Sequence, residues 1–237
     1  VRYTLDGSTP KADSPPYRGP LTISRTCTLN ARVIRDGIRG PVSGGSYTVD
    51  RDMVTLSGHD WRVHDTPGAG PPQSNWVVTD GVAAEMSNHY KGDAADADAQ
   101  TERPGTYREY TPAAGATDGE LSFDIASDDD DGLGIAFRFT DPQHHYLWAM
   151  DSQRAFRVLA LKDGDRYALL ARNAKGYTRG QWYAVRIVLR GPRMRVEVDG
   201  EVDLEVNDAT LAAGTFAFYS WGSTGARFRN AKWHADG

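Results

Sequence analysis

One stretch, Ser127 to Phe139 (SDDDDGLGIAFRF), constrains the chain more than any other: four consecutive aspartates and a glycine run directly into alternating small, apolar and aromatic residues. Alternation with a period of two marks a strand, because successive side chains leave an extended backbone on opposite sides. Ile135, Phe137 and Phe139 share one parity and Gly134, Ala136 and Arg138 the other, so the spacing predicts a half-buried strand fed by a charged loop. The pattern continues downstream. HYLWAMDSQ, FRVLALKDGDRYALLA, WYAVRIVLRG, RMRVEVDGEVDLEV and GTFAFYSWG are short runs rich in Val, Leu, Tyr, Phe and Trp, separated by Asp-Gly or Gly turns. No stretch predicts a helix beyond a turn or two. The expectation is an all-β chain.

Length and charge bound what such a chain can do. With 237 residues it can form one large sandwich, or a small and a medium domain that each bury a core. A formal net charge of -5 argues against nucleic acid or an anionic membrane as the main partner, since both require a basic footprint. No apolar run approaches the roughly 18 residues of a membrane-spanning helix. Arg outnumbers Lys, and Ala and Asp are abundant, which fits a GC-rich bacterial source. Cys27 is the only cysteine, so no intrachain disulfide can form. It shares the parity of Leu29, Ala31 and Val33 and reads as a small buried hydrophobe rather than a nucleophile.

Several motifs carry resemblances. The acidic-Gly opening of the 127–139 stretch, the YLWAMDSQ strand, the Asp199-Gly200 hairpin, the LAAG turn and the closing GTFAFYSWGSTGARFRNAKW resemble the lectin-like jelly rolls of the concanavalin-A-like, laminin-G and thrombospondin-C-terminal type. Asn75 to Gly81 (NWVVTDG) resembles their first strands. Near the start, Tyr3-Thr4-Leu5-Asp6-Gly7-Ser8-Thr9-Pro10, Tyr17-Arg18-Gly19-Pro20, the strand Thr28 to Val33 and the closing Tyr47-Thr48-Val49 resemble the small immunoglobulin-like domain at the C-terminus of chitobiases, which is appended to many bacterial extracellular carbohydrate enzymes. Asp6-Gly7 is a hairpin signal in its own right, and Pro15-Pro16 and Gly19-Pro20 punctuate the strands.

Domains of that kind carry one or two strands before the RYTLDGSTP motif, so the resemblance implies a piece of a longer secreted protein, its signal peptide and catalytic domain upstream. Asp50-Arg51-Asp52 reads as the boundary, giving an immunoglobulin-like sandwich over 1–50 and a larger antiparallel jelly roll over 53–237. A junction that short leaves no slack, and an open strand edge needs cover, so the two are expected to form one rigid unit. Residues 93–102 (DAADADAQTE) are acidic and low in complexity, the composition of a solvated loop.

Catalysis finds little support in the residues. A jelly-roll glucanase needs two carboxylates on one strand face, flanking the scissile bond. Glu197, Asp199, Glu201, Asp203 and Glu205 imitate such a ladder, but the Asp199-Gly200 turn divides them between two hairpin arms, with Met194, Val196, Val198, Val202, Leu204 and Val206 facing inward. A solvated hairpin face opposite Arg193 and Arg195 is the reading. His59 and His64 suit neither a helix face nor a strand face, and His144-His145 point to opposite faces of a strand, so zinc is disfavoured.

Two binding chemistries remain. Asp128, Asp129, Asp130 and Asp131 supply carboxylates beside a rigid strand, which suits structural calcium, because like charges so close repel unless a cation neutralises them. The EF-hand pattern fails at Ser127 and Arg138. Sugar binding needs aromatic platforms with planar polar groups nearby. Tyr146, Trp148 and Met150 share a core parity, as do Phe216 and Phe218. Tyr219 and Trp221 fall on the other face beside Gly222 to Gly225, and Arg138 and Asp151 fall on non-core parity, so these four are the candidate sugar contacts. The expected function is a non-catalytic module that targets a secreted bacterial enzyme to polysaccharide or oligosaccharide. The alternatives are a spacer packed on an upstream catalytic domain and, third, a cryptic glycosidase or lyase.

Overall fold

The computed structural model describes residues 1–21, 23, 27–47, 54–71, 73–92 and 102–235. The boundary read at Asp50 to Asp52, the closing Thr48-Val49 and all of the acidic loop except Glu102 lie outside these residues. The chain divides into two compact units, Val1–Met53 and Val54–Gly237.

In the first unit, β1 (Arg2–Thr4), β2 (Cys27–Arg32) and β5 (Ser43–Tyr47) form an antiparallel sheet with β2 in the middle. Between β2 and β5 lies a hairpin of β3 (Ile34–Arg35) and β4 (Ile38–Arg39). Its turn, Asp36-Gly37, has φ of 51° and 78°, the left-handed pair that an Asp-Gly turn tolerates. Asp6 accepts hydrogen bonds from the Ser8 amide at 3.0 Å and the Ser8 hydroxyl at 2.6 Å, closing the turn read at Asp6-Gly7. Cys27 is half-buried rather than buried.

The second unit is a sandwich of two seven-stranded antiparallel sheets. Its strands are β6 (Trp61–Asp65), β7 (Trp76–Thr79), β8 (Val82–Glu85), β9 (Thr106–Tyr110), β10 (Gly119–Ser127), β11 (Gly132–Asp141) and β12 (His144–Asp151). There follow β13 (Phe156–Asp163), β14 (Arg166–Asn173), β15 (Tyr183–Arg190), β16 (Arg193–Val198), β17 (Glu201–Asn207), β18 (Thr215–Trp221) and β19 (Ala226–Ala235). The first sheet runs β17-β16-β15-β10-β19-β8-β7 and the second β14-β13-β12-β11-β18-β9-β6. The only helical turn among the described residues is Thr111–Ala113.

Between the sheets, Phe123, Ile135, Phe137, Trp148, Phe218 and Phe228 are fully buried, and Phe218 stacks on Phe228 at 4.3 Å. Each such side chain contributes about 1.5–3 kcal/mol by leaving water. The polar tips inside this core are satisfied: Trp148 donates to Asp203 at 3.0 Å and Tyr146 to Asp208 at 2.5 Å.

Two bulges revise the parity expected from alternation. Arg138 has a φ of 46°, and the pairing of β11 with β18 slips between Phe137 and Phe139. One extra residue moves everything after it to the opposite face. Phe139 therefore leaves the core side and packs on Tyr107 and His145, both at 5.6 Å. Likewise β16 and β17 slip at Val196 and Glu197, which leaves Val202 53% exposed and turns Asp203 inward to Trp148, Arg157 and Asn173. Of the other ladder carboxylates, Glu197 is salt-bridged to Arg186 and Arg195 and Glu205 to Arg193 on the outer face of the first sheet, while Asp199 accepts from the Ala184 amide.

The second sheet is not half-buried. Tyr107, Ala136, Phe139, Leu147, Ala149, Phe156, Val158, Ala217, Tyr219 and Trp221 form a second apolar cluster on its outer face. Two irregular segments, 87–92 and 102–105, lie over part of it. Trp221 Nε1 donates to the Lys91 carbonyl at 3.3 Å, and the Tyr219 hydroxyl donates to the Arg103 carbonyl at 2.6 Å. Gly105 makes the close approach possible, since a Cβ there would stand 2.1 Å from the Ser220 carbonyl oxygen.

Candidate functional site

Three of the four residues proposed as sugar contacts come together, and the fourth does not. Asp151, Tyr219 and Trp221 meet around Arg103, whose guanidinium is 2.9 Å from Asp151 and lies over the rings of Phe156 and Trp221. Arg154 approaches Trp221 from another side, at 5.2 Å from the ring, and bonds both Asp151 at 2.9 Å and Asp131 at 3.1 Å. Asp151 and Tyr219 are wholly inaccessible and Trp221 is 1% exposed, so an open aromatic platform is not what these residues form. Parity places them off the core correctly, but the covering segments have no periodicity that would announce them. Arg138 goes to the end of the sandwich, where its bulged backbone lets it donate to the carbonyls of Leu211, at 2.9 Å, and Gly191 and pair with Asp118 at 3.5 Å.

The acidic run lies at the opposite end of β11 from Arg138. Asp129, Asp130 and Asp131 bring one carboxylate oxygen each within 4.8 Å of one another. Asp128 departs to Arg227 at 2.6 Å. Arginines meet much of the charge that the sequence assigns to a metal: besides Arg227, Arg154 holds Asp131, and Arg179 stands 4.0 Å from Asp130. Burial raises the Asp131 carboxyl above its ordinary range, with Arg154 opposing. The carbonyls of Asp129 and Asp131 accept from the Tyr177 hydroxyl, and that of Asp130 accepts from the Ser152 and Gln153 amides.

Among the described residues, one open space on this face lies beside the covered floor. A cavity of about 470 Å³ is lined by Asp65, Lys91, Glu102, Tyr107, Pro142 and Gln143, with four further residues at its rim. Tyr107 belongs to both regions, its ring 5.3 Å from Tyr219 and 5.1 Å from His145. Glu102 is fixed by Lys162 at 2.6 Å, and Lys91 reaches the Pro67 carbonyl at 3.1 Å. Burial pushes the Asp65 carboxyl up, but bonds from the Ser74 amide at 3.0 Å, the Ser74 side chain and Thr106 at 2.7 Å outweigh it and hold the group below its ordinary value. Nearby, His64 bonds Glu109 at 2.7 Å, with Arg62 3.8 Å from the same oxygen. Sequence reasoning missed Lys91, Glu102, Tyr107 and Gln143, which lie in segments without a motif; the alternating TYREY run is the nearest signal.

His144 and His145 diverge as strand geometry requires. His144 bonds Asp141 at 3.0 Å, whereas His145 is buried among Tyr107, Phe139 and Lys162. Burial holds the His145 imidazole neutral and pushes its pKa down to about 4, from an ordinary 6.5. The unfolded chain then binds the extra proton between those values, so the stability tied to this group is complete above pH 6.5 and is lost as the pH falls toward 4. The loss amounts to at most about 3 kcal/mol. His145→Gln should melt with a shallower dependence on pH across that window than the parent, as measured by thermal denaturation at pH 7, 6 and 5.

Against known proteins, the 3-keto-alpha-glucoside-1,2-lyase-like domain family matches residues 52–234, and the Fn3 associated family matches residues 1–47. No curated protein matches the sequence. Among solved structures, the carbohydrate binding module CBM66 from Bacillus subtilis superposes with a TM-score of 0.59 at 15% identity, over 74% of this chain and 96% of that one. A galectin-like-fold protein from Bacillus subtilis gives 0.52 at 12% identity, over 74% and 89%. The VIP36 exoplasmic/lumenal domain, in its Ca2+/Man3GlcNAc-bound form, gives 0.51 at 9% identity, over 75% and 84%. At these identities the likeness is one of fold, a lectin-like jelly roll.

Proposed function

The chain belongs to the 3-keto-alpha-glucoside-1,2-lyase-like domain family, and from that premise we propose that its second unit is a non-catalytic carbohydrate-binding module that takes its ligand in the cavity over Tyr107. The cavity carries the reading. Its volume of about 470 Å³ falls within the range of small-molecule sites, and Tyr107, 5% exposed, lines it together with two acids, a lysine and an amide. Asp65 and Glu102 are already oriented by protein partners, so little side-chain freedom is lost when hydroxyls replace water. The CBM66 fold and the VIP36 domain solved with Man3GlcNAc support the ligand class. The residues first singled out on this face, Asp151, Tyr219 and Trp221, act as the support beneath the covering segments.

We extend the proposal to context. A secreted bacterial polysaccharide-active enzyme with its catalytic domain upstream fits the resemblance of residues 1–50 to appended immunoglobulin-like domains, and the module would deliver that enzyme to polysaccharide. In affinity electrophoresis against plant, algal and host polysaccharides, the protein should be retarded by at least one, and Lys91→Ala and Gln143→Ala should weaken that retention about tenfold or more. Trp221→Ala should instead lower the melting temperature, because it empties a packed site at a cost of about 3–5 kcal/mol. A folded protein that no glycan retards supports the spacer reading.

A second reading follows from the family itself. A 1,2-elimination on a 3-keto glucoside removes the proton on C2, forms the C1–C2 double bond and expels the C1 oxygen, which a proton then caps. His64, bonded to Glu109 at 2.7 Å, is the candidate base for the first step under this reading, although it is not among the residues that line the cavity. Release of aglycone from a 3-keto-α-glucoside, lost in His64→Gln, establishes the lyase; binding without release establishes the module.

Calcium at the acidic end is the third element proposed, with Asp129, Asp130 and Asp131 as the carboxylate ligands and Asp128 outside the set. The donors are hard oxygens that converge, which suits calcium better than a softer metal. A cation that binds only the folded state stabilises it by mass action. Chelation should lower the melting temperature, added calcium should restore it, and Asp129→Ala should abolish the response; a melting temperature indifferent to chelator leaves the arginines as the sole counter-charges.

A further inference from the structure

The outer face of the first sheet carries a second cavity, of about 450 Å³, whose lining includes Ser122, Asp124, Ala184, Arg186, Asn230 and Lys232. A pair of irregularities builds it. The pairing of β10 with β19 slips between Ser122 and Asp124, and Asn230 takes a φ of 54°, a left-handed conformation that asparagine tolerates better than most residues. The slip aims the Asn230 amide at Asp124, to which it donates at 2.7 Å, and Arg229 donates to the same carboxylate oxygen at 3.1 Å. Arg229 itself lies over Trp182 at 4.0 Å. Across the groove, Arg186 is held between Glu120 at 2.7 Å and Glu197 at 2.9 Å.

The framework is therefore held by protein bonds, while several groups facing the space keep hydrogen-bonding capacity that no protein group uses. Both bonds to Asp124 fall on Oδ2, so Oδ1 has no partner among the described residues. Among the same residues the Asn230 carbonyl, the Ser122 hydroxyl and the Lys232 ammonium also lack one, and Ser122 pairs with Lys232 directly across the two strands. Ala184 and Gly200 leave the space open. The lining charges cancel, with Asp124 and Glu197 against Arg186 and Lys232, so the groove exerts no net attraction on a polyanion or a polycation. Acceptors interleaved with donors at fixed positions suit a ligand dense in hydroxyls, each of which gives one hydrogen bond and takes others.

We propose that this groove is a second carbohydrate site, selective for a neutral sugar, on the sheet opposite the cavity over Tyr107. Two sites on opposite sheets let one module engage two glycan strands, which raises retention on an insoluble or branched polymer beyond the affinity of either site.

The test is a backbone-amide NMR titration of the whole chain with neutral malto-, cello-, xylo- and fructo-tetrasaccharides and, separately, tri-galacturonate. At least one neutral sugar should shift the amides of Asp124, Ala184 and Asn230. Ala184→Trp, which fills the groove without removing an ion pair, should weaken those shifts at least tenfold and leave any shifts at Tyr107 and Gln143 in place. Lys232→Ala, an exposed position, should weaken them as well and serves if the tryptophan variant does not fold. The proposal is overturned if no neutral sugar moves these amides, if tri-galacturonate alone does, or if neither variant changes the response.

Discussion

The buried ion pair between Arg103 and Asp151 is the interaction on which the arrangement of this face depends. Two opposite charges, 3% and 0% exposed, are stable inside a protein only as partners, and breaking such a pair costs about 3–5 kcal/mol. Arg103 belongs to the segment that crosses the second sheet, and Asp151 ends β12 within that sheet. The pair, with the Tyr219 and Trp221 bonds to the Arg103 and Lys91 carbonyls, fastens an irregular segment onto an apolar floor. Arg154 joins the same array to Asp131, so the acidic end of the sandwich and the covered floor share one chain of charges.

From that fastening comes an asymmetry between the two sheets. The outer face of the first is solvated around the groove at Asp124 and Asn230, and Arg186 and Arg193 pair with Glu197 and Glu205 across strands there, where each exposed pair contributes little to stability. The second sheet carries a largely buried apolar cluster on its outer face as well, and among the described residues a cavity lies beside the segments that cover it. Asp65, Glu102 and Lys91 along it are already oriented by protein partners.

The strand pattern was legible because alternation reports directly on extended backbone, and the inward set Ile135, Phe137, Trp148, Phe216 and Phe218 follows from it. Legibility failed at Arg138 and Asp203 for one shared reason: a bulge adds a residue without changing composition, so Phe139 and Val202 cross to the other face while the sequence still alternates. The candidate site was legible in part. Parity put Tyr219 and Trp221 on the correct face, yet whether a non-core face is wet depends on what folds over it, and residues 87–92 and 102–105 carry no period that says so. At the acidic run the cluster of carboxylates was legible, but nothing local shows that Arg154, Arg179 and Arg227 arrive from 23 to 99 residues away to meet part of its charge.

The central claim is that sugar enters beside the covered floor and not onto it. A crystal structure of the protein with a retained oligosaccharide decides this most directly. The account predicts a sugar ring over Tyr107, with hydrogen bonds among Asp65, Lys91, Glu102 and Gln143 and with Trp221 still beneath the Lys91 carbonyl. A sugar stacked on Trp221, with residues 87–92 lifted away and the Arg103–Asp151 pair broken, would contradict it.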